Sequence, residues 1–198
     1  MRIAFVARVL AIAALSTVTM AVPAEAQGKL RGMARLGADM GGERVIEFQY
    51  SDGSSPAVTS GGGLLLSAGV ALEIFNSLDA QLNAGWKYRT IPKVSNQTAS
   101  WSRFPVDGLL FYRLPLGLRL GGGATMHLGN VLEASGDALN SRVEFKNNPG
   151  FLLQAEYVMR NFSFDVRYTI MKYEIESGGS GTIDANSLGA GFSILFGR

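Results

Sequence analysis

The chain has 198 residues, 47% hydrophobic and 17% charged, with 25 glycines, a formal net charge of +2, one histidine and no cysteine. Disulfides, thiolate chemistry and cysteine-ligated zinc are excluded, and a lone His127 excludes a histidine-rich metal centre within one chain. The basic residues are scattered and form no stripe that would track phosphates, so no nucleic acid partner is expected, and no cofactor is implied.

The N-terminal segment reads as an address. Arg2 and Arg8 make a positive start, Val9 to Val22 carries no charge, and Pro23 breaks the run before Ala24-Glu25-Ala26. Small residues at Ala24 and Ala26 suit a signal peptidase. A leader is therefore expected over 1–26, with cleavage before Gln27 and a single domain over 27–198. The apolar run is shorter than the about 20 residues a membrane-spanning helix needs. Cleavage would remove Arg2, Arg8 and Glu25, leaving 16 basic and 15 acidic residues.

Beyond the leader, apolar residues alternate with period two, a pattern that a strand sorts onto two faces and a helix mixes. The first predicted strand, Leu30 to Asp39, sets Leu30, Ala34, Leu36 and Ala38 against Arg31, Arg35 and Asp39. The second, Leu64 to Ile74, sets Leu64, Leu66, Val70 and Leu72 against Ser67, Gly69 and Glu73. The third is the clearest: Leu78, Leu82, Trp86 and Tyr88 oppose Asp79, Gln81, Asn83 and Lys87. Val106 to Leu114 places Asp107 and Arg113 on the polar face, and Leu116 to Leu128 places Arg119, Thr125 and His127 there. Phe151 to Met159 contributes Gln154 and Glu156, and Phe162 to Ile170 contributes Asp165 and Arg167. The last strand, Ser187 to Phe196, sets Leu188, Phe192, Ile194 and Phe196 against Ser187, Gly189, Gly191 and Ser193.

Eight strands is an even count, as a single-chain bacterial barrel requires. Their connections alternate in length. Tight turns are expected at Asn76-Ser77, Pro115 and Asn161, and long polar loops over 41–60, 92–103, 129–150 and 176–184. Short turns on one side and long loops on the other match periplasmic and extracellular ends. Within the first long loop, residues 43–60 read as a hairpin standing above the membrane around the turn Ser51-Asp52-Gly53-Ser54. The alternative, in which this hairpin enters the membrane and makes ten strands, is disfavoured because Glu43, Arg44 and Glu47 make a poor lipid face.

A charge on the lipid side of the midplane costs about 2–4 kcal/mol for Arg or Lys. The face bearing Arg35, Glu73, Asp79, Lys87, Arg113, Arg119, Glu156, Asp165 and Arg167 must therefore be the lumen. Eight strands leave room only for side chains, so an interlocking charge network is expected there and no wide pore. Lumen glycines, among them Gly37, Gly189 and Gly191, would make space for the long cations. Two aromatic girdles are expected at the lipid boundaries. One rim would carry Trp86, Tyr88, Trp101 and Tyr173, the other Tyr112, Tyr157, Phe162 and Phe196.

The whole pattern over 27–198 resembles the small outer-membrane barrels of the OmpA-like and OmpX-like kind. Its most specific local piece is LGAGFSILFGR at the end, where alternating apolar residues reach Phe196 but continue to Gly197 and Arg198. The resemblance implies an all-β fold: a closed, antiparallel, eight-stranded, up-and-down transmembrane β-barrel in the outer membrane of a Gram-negative cell envelope. It also implies contact with outer-membrane lipid and lipopolysaccharide, and passage through the barrel-insertion machinery.

Some small barrels modify lipid A, and the deacylases carry His-x-Ser-Asn with the serine as nucleophile. This chain reads His127-Leu128-Gly129-Asn130, with glycine at the nucleophile position. Ser67 and Glu73 share a face but stand roughly 20 Å apart along one strand, so no triad assembles. The expected role is non-enzymatic: a structural or surface-interaction protein acting through its extracellular loops. A lipid A-modifying enzyme and a narrow channel are the rivals.

Overall fold

The computed structural model describes residues 30–47, 57–94, 97–136, 139–177 and 180–197. The expected leader at 1–26 and its cleavage residues Ala24, Ala26 and Gln27 lie outside the described residues, as does the Ser51–Ser54 turn. In chain order the strands are β1 (Leu30–Met40), β2 (Arg44–Glu47), β3 (Ala57–Thr59), β4 (Gly63–Phe75), β5 (Leu78–Val94), β6 (Gln97–Arg113) and β7 (Leu118–Gly136). They continue with β8 (Leu139–Phe145), β9 (Pro149–Met159), β10 (Phe162–Ile170), β11 (Lys172–Ser177), β12 (Thr182–Asp184) and β13 (Ser187–Phe196).

Hydrocarbon offers no partner to a backbone amide, so a spanning sheet must close on itself. It does. The antiparallel order β9-β10-β13-β1-β4-β5-β6-β7 returns to β9 through a ladder running from Leu118↔Tyr157 to Met126↔Pro149. These eight strands form the barrel. β2 and β3 pair only with each other, Arg44 opposite Thr59, and so are not the ninth and tenth membrane strands.

The register keeps odd and even residues on fixed sides through the barrel wall, and in β7 a bulge at Gly129 switches the inward side from odd residues up to His127 to even ones from Asn130. Leu82 is 53% exposed and Val70 43%, whereas Arg119 is 7% exposed and Asp165 3%. The apolar stripe therefore faces outward and the charged stripe is enclosed. Among the described residues no helix is long and apolar enough to cross a membrane; the crossing is made by strands.

One end of the barrel is finished by turns of two or three residues. Leu116 (φ 64) and Arg160 (φ 47) take left-handed conformations that let the chain reverse at once. Leu116, expected as the first residue of a strand, instead sits in a short 3-10 turn over Pro115–Gly117, and β7 begins at Leu118. Ser77 O accepts from Arg113 N at 2.8 Å, tying two of these turns together.

At the other end the described residues are largely strand. The stretches expected as loops at 92–103 and 129–150 are mostly strand, because β5, β6 and β7 run on past the membrane and β8 pairs with β7 from Asn130↔Phe145 to Gly136↔Leu139. β11 follows β10 and pairs with β8 and β12. Glu43 N donates to Asp184 O at 2.9 Å and Ser60 N to Glu43 O at 2.9 Å, which joins the β2-β3 hairpin to β12. The result is a folded cap standing on the end opposite the short turns.

A Leu82→Arg substitution places a cation on the lipid face near mid-strand, and should lower stability by about 2–4 kcal/mol. Ser135→Arg, on the outside of the cap, should change it by less than about 0.5 kcal/mol. Equilibrium unfolding in lipid vesicles, followed by heat-modifiable gel migration, measures both.

Candidate functional site

The enclosed side chains form three storeys. Midway down, Arg35 from β1 grips Asp165 from β10 through two parallel bonds, Nε to Oδ1 at 2.8 Å and Nη2 to Oδ2 at 2.6 Å. This fork geometry is the strongest arrangement a guanidinium and a carboxylate can make. A Cβ at Gly37 would lie 2.6 Å from Arg35 Nη1, and one at Gly191 would be closer still, so both positions must stay glycine for the arginine to lie flat. Beside it, Arg167 donates to Gln154 Oε1 at 2.8 Å and to Asp107 Oδ2 at 3.2 Å, while Thr125 Oγ1 donates to Asp107 Oδ1 at 2.6 Å.

At the short-turn end, Asp79 receives both Arg113 and Arg119. Arg113 Nη2 reaches Asp79 Oδ1 at 2.5 Å, and Arg119 Nη1 reaches Oδ2 at 2.9 Å. Arg113 also meets Glu73 at 3.1 Å and Arg119 meets Glu156 at 2.7 Å. Arg119 lies over the Phe111 ring at 4.7 Å. Phe111 packs with Leu109 and Leu152 in an apolar layer across the lumen. The mouth itself is a pocket of about 220 Å³, with Arg31, Leu118, Val158 and Leu195 among its walls.

Towards the cap, Lys87 Nζ pairs with Asp39 Oδ2 at 2.5 Å. Above this pair the chemistry changes. Trp101, Leu132, Phe145, Met171, Tyr173, Ala185 and Val58 form a buried apolar core inside the cap, with Trp101 and Phe145 stacked at 5.1 Å. Outside the cap stand exposed ion pairs, Arg142 with Glu133 and Glu144, Lys146 with Glu174, and Lys172 with Asp184. Lys146 holds the Glu174 carboxyl below its usual range, chiefly through their hydrogen bond and then through charge. Such exposed pairs mark a solvated surface and add little stability.

Each lumen residue singled out in the sequence is inward. Arg35, Asp79, Lys87, Arg119, Glu156, Asp165 and Arg167 are buried, and Glu73 and Arg113 are partly open at the mouth. Trp86, Tyr112, Tyr157, Phe162 and Phe196 are on the outside, and Tyr88 is half-buried beside Trp86. Trp86 Nε1 donates to Ser102 Oγ at 2.9 Å at this boundary. Trp101 and Tyr173 are corrections. They are 0% and 1% exposed, inside the cap and not on a rim. Strand parity explains both: Trp101 shares a side with Arg103 and Asp107, and Tyr173 with Arg167 and Thr169. Above the lipid that inner side becomes the apolar one.

Sequence reasoning missed Arg103, which it left in a loop. Arg103 is fully buried, donates to the Ser60 and Gly62 carbonyls, and lies 5.0 Å from the Trp101 ring. His127 is also enclosed, its Nδ1 sharing a hydrogen bond with the Tyr173 hydroxyl, away from any lipid substrate. Among the described residues no three His, Asp or Glu side chains are grouped to hold a metal.

No protein-family model matches the chain, and no curated protein matches it. Solved structures do. Ail, the attachment invasion locus protein of Yersinia pestis, solved with the heparin analogue sucrose octasulfate, aligns with a TM-score of 0.54 at 13% identity, over 85% of this chain and 99% of that one. Neisserial surface protein A aligns at 0.50 and 15% identity, over 84% and 97%. OprG of Pseudomonas aeruginosa aligns at 0.50 and 14%, over 86% and 97%. Identities this low establish the fold, and the fold is that of the small outer-membrane β-barrels.

Removing one partner of the central fork strands a buried charge. Arg35→Met should cost about 3–5 kcal/mol, and adding Asp165→Leu should recover most of it. A double-mutant cycle by urea unfolding in vesicles measures the difference.

Proposed function

We propose that this barrel resides in the bacterial outer membrane as a non-enzymatic surface module, presenting its extracellular cap to a ligand outside the cell. The observation that carries the reading is the apolar core of the cap, centred on Trp101, Phe145 and Tyr173. That core does two things at once. It fills the extracellular end of the lumen, which argues against a channel, and it makes the outer surface of the cap a firm platform.

The layer of Leu109, Phe111 and Leu152 lower down supports the same view, since a solute would have to cross two dry levels as well as the Arg35–Asp165 fork. An enzyme on lipid substrates would need a reactive group open to the membrane. The outward stripe offers Leu, Val, Ala and aromatic residues, and His127 is enclosed. The platform carries exposed cations and carboxylates side by side. Ail is itself described as an attachment invasion protein and was solved with a sulfated sugar, so a sulfated polysaccharide is a sensible first probe, with lipopolysaccharide as the second.

Proteoliposomes carrying the wild-type protein should be retained on a surface coated with sulfated polysaccharide or lipopolysaccharide. A triple Arg142→Glu, Lys146→Glu, Lys172→Glu variant should lose most of that retention while keeping its folded gel migration. Sizeable steady conductance in planar bilayers would sink the reading, as would lipid A modification that disappears in His127→Ala. The leader belongs to the same proposal. N-terminal sequencing of protein recovered from the envelope should begin at Gln27.

A further inference from the structure

We propose that the short-turn mouth of the barrel, facing the periplasm, is a binding site for a carboxylate carried on a small apolar body. The pocket there measures about 220 Å³, with Val158 and Leu195 lining it from within the barrel and Leu118, on the outward stripe, at its rim. Its size suits a group smaller than a drug-like ligand, whose pockets start near 300 Å³.

The charges decide the sign of the ligand. Asp79 and Glu73 are engaged by Arg113, and Asp79 also by Arg119. Arg31 also lines the pocket. Among the described residues it is the lining cation with neither a carboxylate nor any hydrogen-bond partner. At the floor, Arg119 Nε is buried without a partner as well. An incoming carboxylate finds the Arg31 guanidinium unused, while the carboxylates around the mouth, Glu73, Asp79 and Glu156, are each already held by Arg113 or Arg119. Its apolar body meets the leucine and valine wall. A cation would meet Arg31 as a like charge, and a neutral apolar group would leave Arg31 unanswered.

The chemistry has two natural sources: the C-terminal residue of a periplasmic peptide, or a short fatty acid from the inner leaflet beside Leu118. This site lies at the opposite end from the cap, so its failure would leave the surface-module reading untouched.

The test uses the full protein in nanodiscs with labelled leucine and valine methyls. N-acetyl-leucine, hexanoate and N-acetyl-leucine amide are titrated in turn. Saturable shifts at Val158 and Leu195 are expected for the acids, the tighter of the two naming the source. The amide should bind at least roughly tenfold more weakly, the worth of one charge-assisted hydrogen bond. Arg31→Gln should weaken the acids by about the same factor. Arg31 is partly exposed and unpaired, so this variant should keep the folded gel migration that serves as its control. Equal binding of acid and amide, or unchanged binding in Arg31→Gln, would overturn the proposal. So would shifts that rise without saturation and spread to lipid-facing Leu82 and Leu153, or no shift at all.

Discussion

Hydrocarbon accepts neither an unpaired backbone group nor a charge, and both refusals shape this chain. The first closes the sheet, since an open edge would leave a row of amides with nothing to bond. The second sorts the side chains. With the ladder closed, every charge on a spanning strand has only the lumen to occupy, and a lumen eight strands wide holds side chains and little else. The ion pairs are a consequence of that confinement. Asp79 accepts two arginines, and each of them reaches a second carboxylate as well, Arg113 to Glu73 and Arg119 to Glu156. Desolvating so many charges gains little net stability over an apolar filling, but it fixes which strand sits beside which.

Confinement also explains the glycines. A guanidinium lying flat across the lumen needs the neighbouring wall to be bare, and Gly37 and Gly191 are the bare wall beside Arg35. Asp39 makes the same demand of Gly189. Long cations, short acids and glycines on one stripe are thus one design read three ways. In the sequence they appear as a high glycine content with balanced charge.

Much of this was legible before any coordinates, because the membrane writes its constraint as a period-two pattern that survives in sequence. The stripe through Leu78, Leu82 and Trp86 states its own environment. Partners were not legible. Nothing local says that Arg35 meets Asp165, 130 positions away, because that depends on barrel closure and strand stagger. The cap was hidden for a different reason. Along β6 the inward side reads Phe111, Leu109, Asp107, Arg103, Trp101, Ala99, and its polarity reverses above the lipid while its parity does not. A reading that follows polarity ends the strand where the outside turns polar, and so takes Ser100 and Ser102 for loop and Trp101 for a girdle. Following parity through Arg103 would have put Trp101 inside.

Arg103 stands where the two regimes meet. Below it, buried cations are balanced by carboxylates; above it, the interior is aromatic and aliphatic. Its own partners are of neither simple kind. Two backbone carbonyls, from Ser60 and Gly62, accept its hydrogen bonds, and the faces of Trp101 and Tyr173 lie 5.0 and 5.9 Å from the guanidinium carbon. Ser60 in turn donates to Asp184 O at 2.5 Å. A single side chain from β6 thereby fastens the approach to β4, the β2-β3 hairpin and β12 over the barrel mouth. Lysine could not replace it, since a point charge has neither the planar fork for two carbonyls nor the flat face for two rings. The junction between a polar lumen and an apolar cap thus needs a group that is charged at its edge and stacks through its face, and among the common side chains only arginine is both.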